Sequence, residues 1–293
     1  MLRRQRVLLA LVSCSGGELT STALVKLAFL ARFETSLKRD HTFYDFVPYK
    51  YGPFSFSLYR ELSTLKQYGY LSPNDHHIVI PRGSETMTRE KINELPDPVV
   101  REVREITHRY AKLNQSNLLK LVYSKYPWYA VKSELCVIAP SSIPKLRVAA
   151  PAVYTAGYEG KSVDLFFRDL LRSGVRVVLD VRANPVSRKY GFAKSSLGEI
   201  SAKLGIEYQH FPELGIPSNL RRSLTDYASY QRLLDRYKRT VIPNRRVEIA
   251  WIASFMEQQP SVLLCMEKDS MCCHRSRLAE AVSGENGLGI VNL

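Results

Sequence analysis

Long apolar runs are missing from this chain. No stretch approaches the ~20 apolar residues that a membrane-crossing helix needs, which argues against a membrane protein. Val7 to Val12, behind Arg3, Arg4 and Arg6, superficially has the order of a secretory leader. Its apolar run is short for one, so it reads as the first helix of a cytoplasmic protein. Cysteine is scarce and odd in number: Cys14, Cys136, Cys265, Cys272 and Cys273. That argues against a disulfide framework and for reduced thiols. Acidic residues are the minority charge, 28 against 42 basic ones, for a net +14. Both halves of the chain share the excess. A polyanionic partner, first of all nucleic acid, accounts for such a charge; a plain solubility charge is the competing reading. Internal repeats and low-complexity tracts are also missing, so solenoid and array architectures fall away.

What is present divides into two domains, at about 1–145 and 150–293, with the Pro- and Ala-rich stretch from Pro140 to Ala152 between them. The first half reads as mainly helical. Arg3 to Cys14 forms a helix stopped by Ser15-Gly16-Gly17. Ser21 can cap a second, Thr22 to Phe33, with Leu24, Leu27, Ala28 and Ala31 on one face. Ser55 can cap a third, running to Tyr68 and ended by Gly69, with Leu58, Leu62 and Leu65 as its buried stripe. His77 to Ile80 suits a short strand. Three helices and a small β-wing make the winged-helix pattern, a member of the helix-turn-helix group. Asp97 can cap a further helix that starts with Pro98 and runs to Lys112, and Asn117 to Ser124 forms another.

The run Phe43 to Ser55 is dense in aromatics and holds Gly52-Pro53. Tyr49 and Lys50 in it can stack on bases and track phosphates. The other reading makes the run the core of an ordered loop. Leu24-Val25-Lys26-Leu27-Ala28-Phe29-Leu30, Tyr49-Lys50-Tyr51-Gly52-Pro53-Phe54-Ser55, Leu58 to Leu62 and Tyr126-Pro127-Trp128-Tyr129 resemble the SocA-type, or Panacea, antitoxin-like domain. That resemblance implies a helical module with a winged-helix-like start that binds a protein partner or nucleic acid.

The second half alternates strand and helix patterns. Val153 to Ala156, Val175 to Leu179, Ile206 to His210 and Val262 to Met266 read as strands, with a closing strand near Gly289 to Leu293. Ser162 can cap a helix that Gly174 ends, Ser195 or Ser196 can start another, and Tyr227–Arg239 and Val247–Glu257 suit two more. Such alternation predicts an α/β fold with a parallel, Rossmann-like sheet. Right-handed crossovers then bring the loops after each strand to one edge. Tyr158 and Glu159 follow the first strand; Asp180, Arg182, Asn184, Arg188 and Lys189 the second; His210, Glu213 and Gly215 the third; Cys265, Glu267, Cys273, His274 and Arg275 the fourth.

These residues form four ordered motifs: Tyr154-Thr155-Ala156-Gly157-Tyr158-Glu159-Gly160, Asp180-Val181-Arg182-Ala183-Asn184-Pro185 with Ser187-Arg188 and Gly191-Phe192, Phe211-Pro212-Glu213-Leu214-Gly215, and Leu264-Cys265-Met266-Glu267-Lys268 with Cys273-His274-Arg275. They resemble the widespread bacterial family numbered 488 among domains of unknown function. Lys268 stands where that family usually has Arg, and Asn292 where the closing strand often has His. The resemblance supplies positions and no reaction.

Several chemistries fit the loop cluster. Cys273, at a helix start beside His274 and Arg275, suits a thiolate. Cys265, Cys273 and His274 can bind zinc with a fourth ligand from elsewhere, although the spacing is no recognised zinc signature; the primary expectation is no cofactor. Arg182, Arg275 and the helix start can hold a phosphate while the cysteines merely pack. Asp180, Glu159 or Glu267 can activate water while Tyr158, Arg182, Asn184, Arg188, Lys189, Glu213 and Arg275 bind substrate. Arg232, Arg236, Lys238, Arg239, Arg245 and Arg246 can track a strand or simply form a solvated face. The expectation is a DNA-processing protein, by base excision or phosphodiester cleavage, in repair or defence. The competing one is a non-enzymatic, antitoxin-like regulator whose first half meets a protein partner and whose second half senses a nucleotide or anion. A thiol-redox or zinc module is the third.

Overall fold

A computed structural model describes residues 1–74, 77–221 and 226–293. The chain divides into two compact units, Met1–Lys145 and Leu146–Leu293. Among the described residues no helix is long and apolar enough to cross a membrane.

The first unit runs α1 (Arg3–Cys14), β1 (Glu18–Thr20), α2 (Ser21–Glu34), β2 (Val47–Tyr49), β3 (Gly52–Phe54), α3 (Phe56–Gln67), β4 (Ser72–Asn74), β5 (His77–Val79), α4 (Glu85–Asn93), α5 (Asp97–Tyr110) and α6 (Gln115–Lys125). β1, β5 and β4 lie side by side in that order, antiparallel throughout. Helix, strand, two helices and an antiparallel pair is the winged-helix order, with the β2–β3 hairpin inserted before α3. Ser55 caps α3 by accepting from the Leu58 N–H, as its hydroxyl and position predict. Thr20, not Ser21, caps α2. α5 begins at Asp97 behind Pro96 and has no side-chain cap. α4, β1 and the hairpin were not read from sequence; each strand is three residues long, too short for a period to show.

Most of the aromatic run faces inward. Phe43, Tyr44 and Phe46 are buried in a core shared with Leu27, Phe29, Leu30, Leu62 and Tyr129, and Val47 is buried as well. The core reading therefore holds for that part of the segment. Phe29 meets Phe46 edge-on at 5.3 Å and Tyr129 at 4.7 Å.

The second unit runs β6 (Val153–Gly157), α7 (Val163–Ser173), β7 (Val177–Asp180), α8 (Lys194–Lys203), β8 (Glu207–His210), α9 (Tyr227–Thr240), α10 (Arg246–Gln258), β9 (Ser261–Cys265), α11 (His274–Asn286) and β10 (Ile290–Asn292). The five strands form one parallel sheet in the order β10-β6-β9-β7-β8. The expected α/β class and parallel sheet are what the structure has. Ser162 caps α7, and Gly174 ends it in the left-handed region at φ 81°. Val177, Leu179 and Leu263 pack with Ile249, Ile252, Met256, Leu278 and Val282. The alternate strand residues Val178, Val262 and Leu264 are equally buried, as strands covered on both faces require. β6, β7 and β9 sit at the centre, so their carboxyl ends, at Gly157, Asp180 and Cys265, lie side by side.

Candidate functional site

The site grows from those three strand ends. Tyr158 and Glu159 leave β6 and donate both backbone N–H groups to the Met266 carbonyl, at 3.1 and 2.9 Å. The Glu159 carboxylate in turn accepts from the Lys268 N–H at 2.9 Å. The loops after β6 and β9 are thus stitched together. Gly157 makes the approach possible: a Cβ there would lie 1.9 Å from the Glu267 carbonyl oxygen.

Asp180 and Arg182 follow β7 and pair with one another. Arg182 Nε and Nη2 reach the two Asp180 oxygens at 2.8 and 2.5 Å, a bidentate fork. Asp180 is fully buried and also accepts from the Arg182 N–H and the Tyr208 hydroxyl. Arg182 Nη1 donates to the Tyr158 hydroxyl and the Phe192 carbonyl. Burial beside Asp180 raises the Tyr208 phenol well above its ordinary range. Both members of the pair are committed inside the protein, and the geometry gives them the work of pinning loops. The sequence reading has Phe192 in a motif and Tyr208 in a strand but gives neither a place in the site. Phe192 stacks on Tyr158 at 4.2 Å; nothing local announces either contact, since each bridges segments far apart in sequence.

Arg275 has the same inward character. Buried at 2% exposure, it donates to the Glu267 and Lys268 carbonyls and to the Thr155 hydroxyl. It fixes the Glu267 loop from beneath. Asn184 and Arg188 are exposed, and Glu213 is half-buried in the turn after β8. Lys189 reaches the Tyr158 carbonyl at 3.3 Å and lies over the Phe192 ring. Desolvation lowers its ammonium pKa, with Glu159 opposing. His210 bonds the Arg182 carbonyl at 2.8 Å, so it too belongs to the scaffold.

At the end of β9 four polar side chains converge. Cys265 is buried on the strand, and Cys273 occupies the N-cap of α11. Their sulfurs lie 3.1 and 3.0 Å from the same Glu267 carboxylate oxygen. His274 Nδ1 stands 3.7 Å from the Cys265 sulfur and 4.0 Å from that of Cys273. His274 Nε2 meets the Val181 carbonyl at 2.9 Å. A carbonyl can only accept, so Nε2 carries the proton and Nδ1 turns to the sulfurs. Helix-start placement and Arg275 were expected to depress the Cys273 thiol. Burial instead pushes it well above its ordinary value, and Cys265 and Glu267 add to the rise. Position at a helix end is overridden here by desolvation.

Residues 162–282 match the family model of DUF488, a domain of unknown function. No curated protein and no solved structure matches the chain. The DUF488 match covers α7 to α11, and so includes the Asp180–Arg182 pair and the Cys265–Arg275 loop. Beyond this cluster, Arg232, Arg236, Lys238 and Arg239 lie exposed on α9, and Arg246 on α10. Lys238 pairs with Glu280, and Arg245 with Glu248. In the first unit Lys50 pairs with Glu134 at 3.0 Å, and Tyr49 packs against Phe54 and Phe56.

Proposed function

We propose that this chain is a nucleic-acid-processing protein: the winged-helix-like unit holds DNA, and the DUF488 unit acts on a nucleotide by base excision or phosphodiester cleavage. The observation that carries the reading is the winged-helix order of the first unit in a chain of net charge +14. In that order α3 is the element that enters a groove. Its exposed positions are Tyr59, Arg60, Ser63 and Gln67, a set able to bond phosphates and base edges. At the strand ends of the second unit, the half-buried Glu267 and the exposed Glu159 are the carboxylates that would handle a proton. Free cysteines throughout suit a cytoplasmic setting. Repair or defence against foreign DNA is the setting in which such an activity would act.

A second reading has its own support. Asp180, Arg182 and Arg275 are buried and bonded inward, which suits a non-enzymatic, antitoxin-like regulator that meets a protein partner through the first unit. One experiment separates the two. End-labelled single- and double-stranded DNA, with and without modified bases, is incubated with wild type and Glu267→Gln, half of each sample is treated with alkali, and denaturing gels are run. Breaks lost in the variant support the enzyme, and their dependence on alkali distinguishes base excision from backbone cleavage. In parallel, Arg60→Ala should weaken DNA binding across all sequences and lower the salt slope by about 1. Intact DNA together with unchanged binding by Arg60→Ala would remove the reading and turn the search to a stoichiometric protein partner.

A further inference from the structure

We propose that Cys265, Cys273 and His274 hold a zinc ion, with Glu267 beside its fourth position. The ligand atoms of Cys265, Cys273 and His274 all lie within 4.8 Å of one another, and all three residues are buried. Around a tetrahedral zinc, with Zn–S and Zn–N bonds of about 2.3 and 2.0 Å, neighbouring ligand atoms stand about 3.5–3.8 Å apart. The two sulfur–Nδ1 distances here are 3.7 and 4.0 Å. Each sulfur therefore stands within about half an ångström of the spacing from Nδ1 that a shared tetrahedral ion requires.

The surroundings match as well. A metal-bound imidazole almost always gives its other N–H to a carbonyl or carboxylate, which fixes ring and tautomer. His274 does this through Nε2 to the Val181 carbonyl at 2.9 Å. Two thiolates and a carboxylate packed together repel one another once ionised, and a divalent cation removes that repulsion. The α11 N-terminus and the Arg275 guanidinium, bonded to the Glu267 carbonyl, favour the negative charge left over. Two sulfurs and one imidazole select zinc over hard cations such as magnesium. Glu267, Cys272 and His274 also line a small pocket with Ile216 and Leu234. Three protein ligands leave the fourth position to the Glu267 carboxylate or to a water beside it.

The sequence conceals this. Cys265 and Cys273 are eight positions apart, His274 adjoins Cys273, and the spacing follows no zinc-ribbon or finger rule. Only the turn from β9 back into α11 folds the three onto one point.

The test needs no substrate, so it stands or falls apart from the nucleic-acid reading. The full chain is purified without chelator and its metal content measured by mass spectrometry. Wild type should carry one zinc per chain. Exchange into cobalt should give an intense thiolate-to-cobalt absorption band. Cys265→Ser, Cys273→Ser and His274→Ala should each lose most of the metal and weaken or abolish the band, while Cys272→Ser should keep both. Circular dichroism checks that the variants are folded. Because a buried substitution can unfold the chain, the wild type also carries a test of its own: titrating its thiols with a mercurial should release one equivalent of zinc to a colorimetric metal indicator. A metal-free wild type that gives no cobalt band on anaerobic titration overturns the inference. So does full metal retention in folded Cys265→Ser and Cys273→Ser.

Discussion

Lys26 offers the sharpest physical prediction. It lies in the middle of α2 at 3% exposure. Its ammonium nitrogen donates to the Pro53 carbonyl at 2.8 Å. It borders a cavity of about 160 Å³ lined by Tyr49, Tyr51, Phe54 and Tyr59, with no carboxylate in its wall. Burial without a counter-charge lowers its pKa from 10.5 to about 7. The sign of the linkage follows. The unfolded chain holds this proton up to about pH 10.5, whereas the folded chain releases it near 7. The cost of burying the charge is therefore complete below pH 7, is relieved as pH rises from 7 to 10.5, and is gone above that. At about 1.4 kcal/mol per pH unit, the ceiling on that cost is on the order of 5 kcal/mol. Lys26→Met removes the charge but strands the Pro53 carbonyl, which costs about 1–3 kcal/mol at every pH.

The two terms cross. At pH 6 the methionine variant should be the more stable by about 2–4 kcal/mol. Between pH 6 and pH 9 the wild type should gain about 2–3 kcal/mol on it. Urea unfolding read by fluorescence measures this. The chain has two tryptophans, Trp128 and Trp251, so a Trp251→Phe background leaves Trp128 to report on the first unit alone. Parallel stability–pH curves for the two proteins would show that Lys26 is not buried as an uncompensated amine, and the reasoning from burial would fail.

Two further predictions concern the second unit. Asp180→Ala should destabilise it by about 3–5 kcal/mol, because it leaves the Arg182 guanidinium buried without its carboxylate. Denaturation followed by Trp251 measures the loss; a stability within about 0.5 kcal/mol of wild type, as at ordinary surface positions, would show the pair to be dispensable. Gly157→Ala forces a methyl group against the Glu267 carbonyl oxygen. It should displace the loop after β9, lower the melting temperature and weaken cobalt binding, whereas Gly284→Ala, with open space around it, should do none of these.

Element identity was legible where a local signal existed. Ser55 and Ser162 announced two helices through capping, and Gly174 ended one by its free access to positive φ. The apolar blocks at Val177–Asp180 and Ser261–Cys265 declared buried parallel strands. Alternation then implied that the loops after the strands share one edge, and Tyr158, Asp180, Arg182, Glu267 and His274 are indeed drawn together there. Three-residue strands such as β1 and β2 left no such trace.

By itself the sequence determined the class of each unit, the order of its longer elements and which loops would meet, because these follow from periodicity, caps and chain direction. Tertiary structure alone decided the roles. Whether Asp180 and Arg182 face a ligand or each other depends on a β8 tyrosine and a distant carbonyl at Phe192. Whether Cys273 is a thiolate or a protonated, buried thiol depends on solvent access. Whether two cysteines and a histidine can share an ion depends on distances of a few ångströms between segments that the chain itself holds apart. Burial, hydrogen-bond partners and the side of a loop from which a side chain is covered are non-local quantities, and no spacing along the chain encodes them.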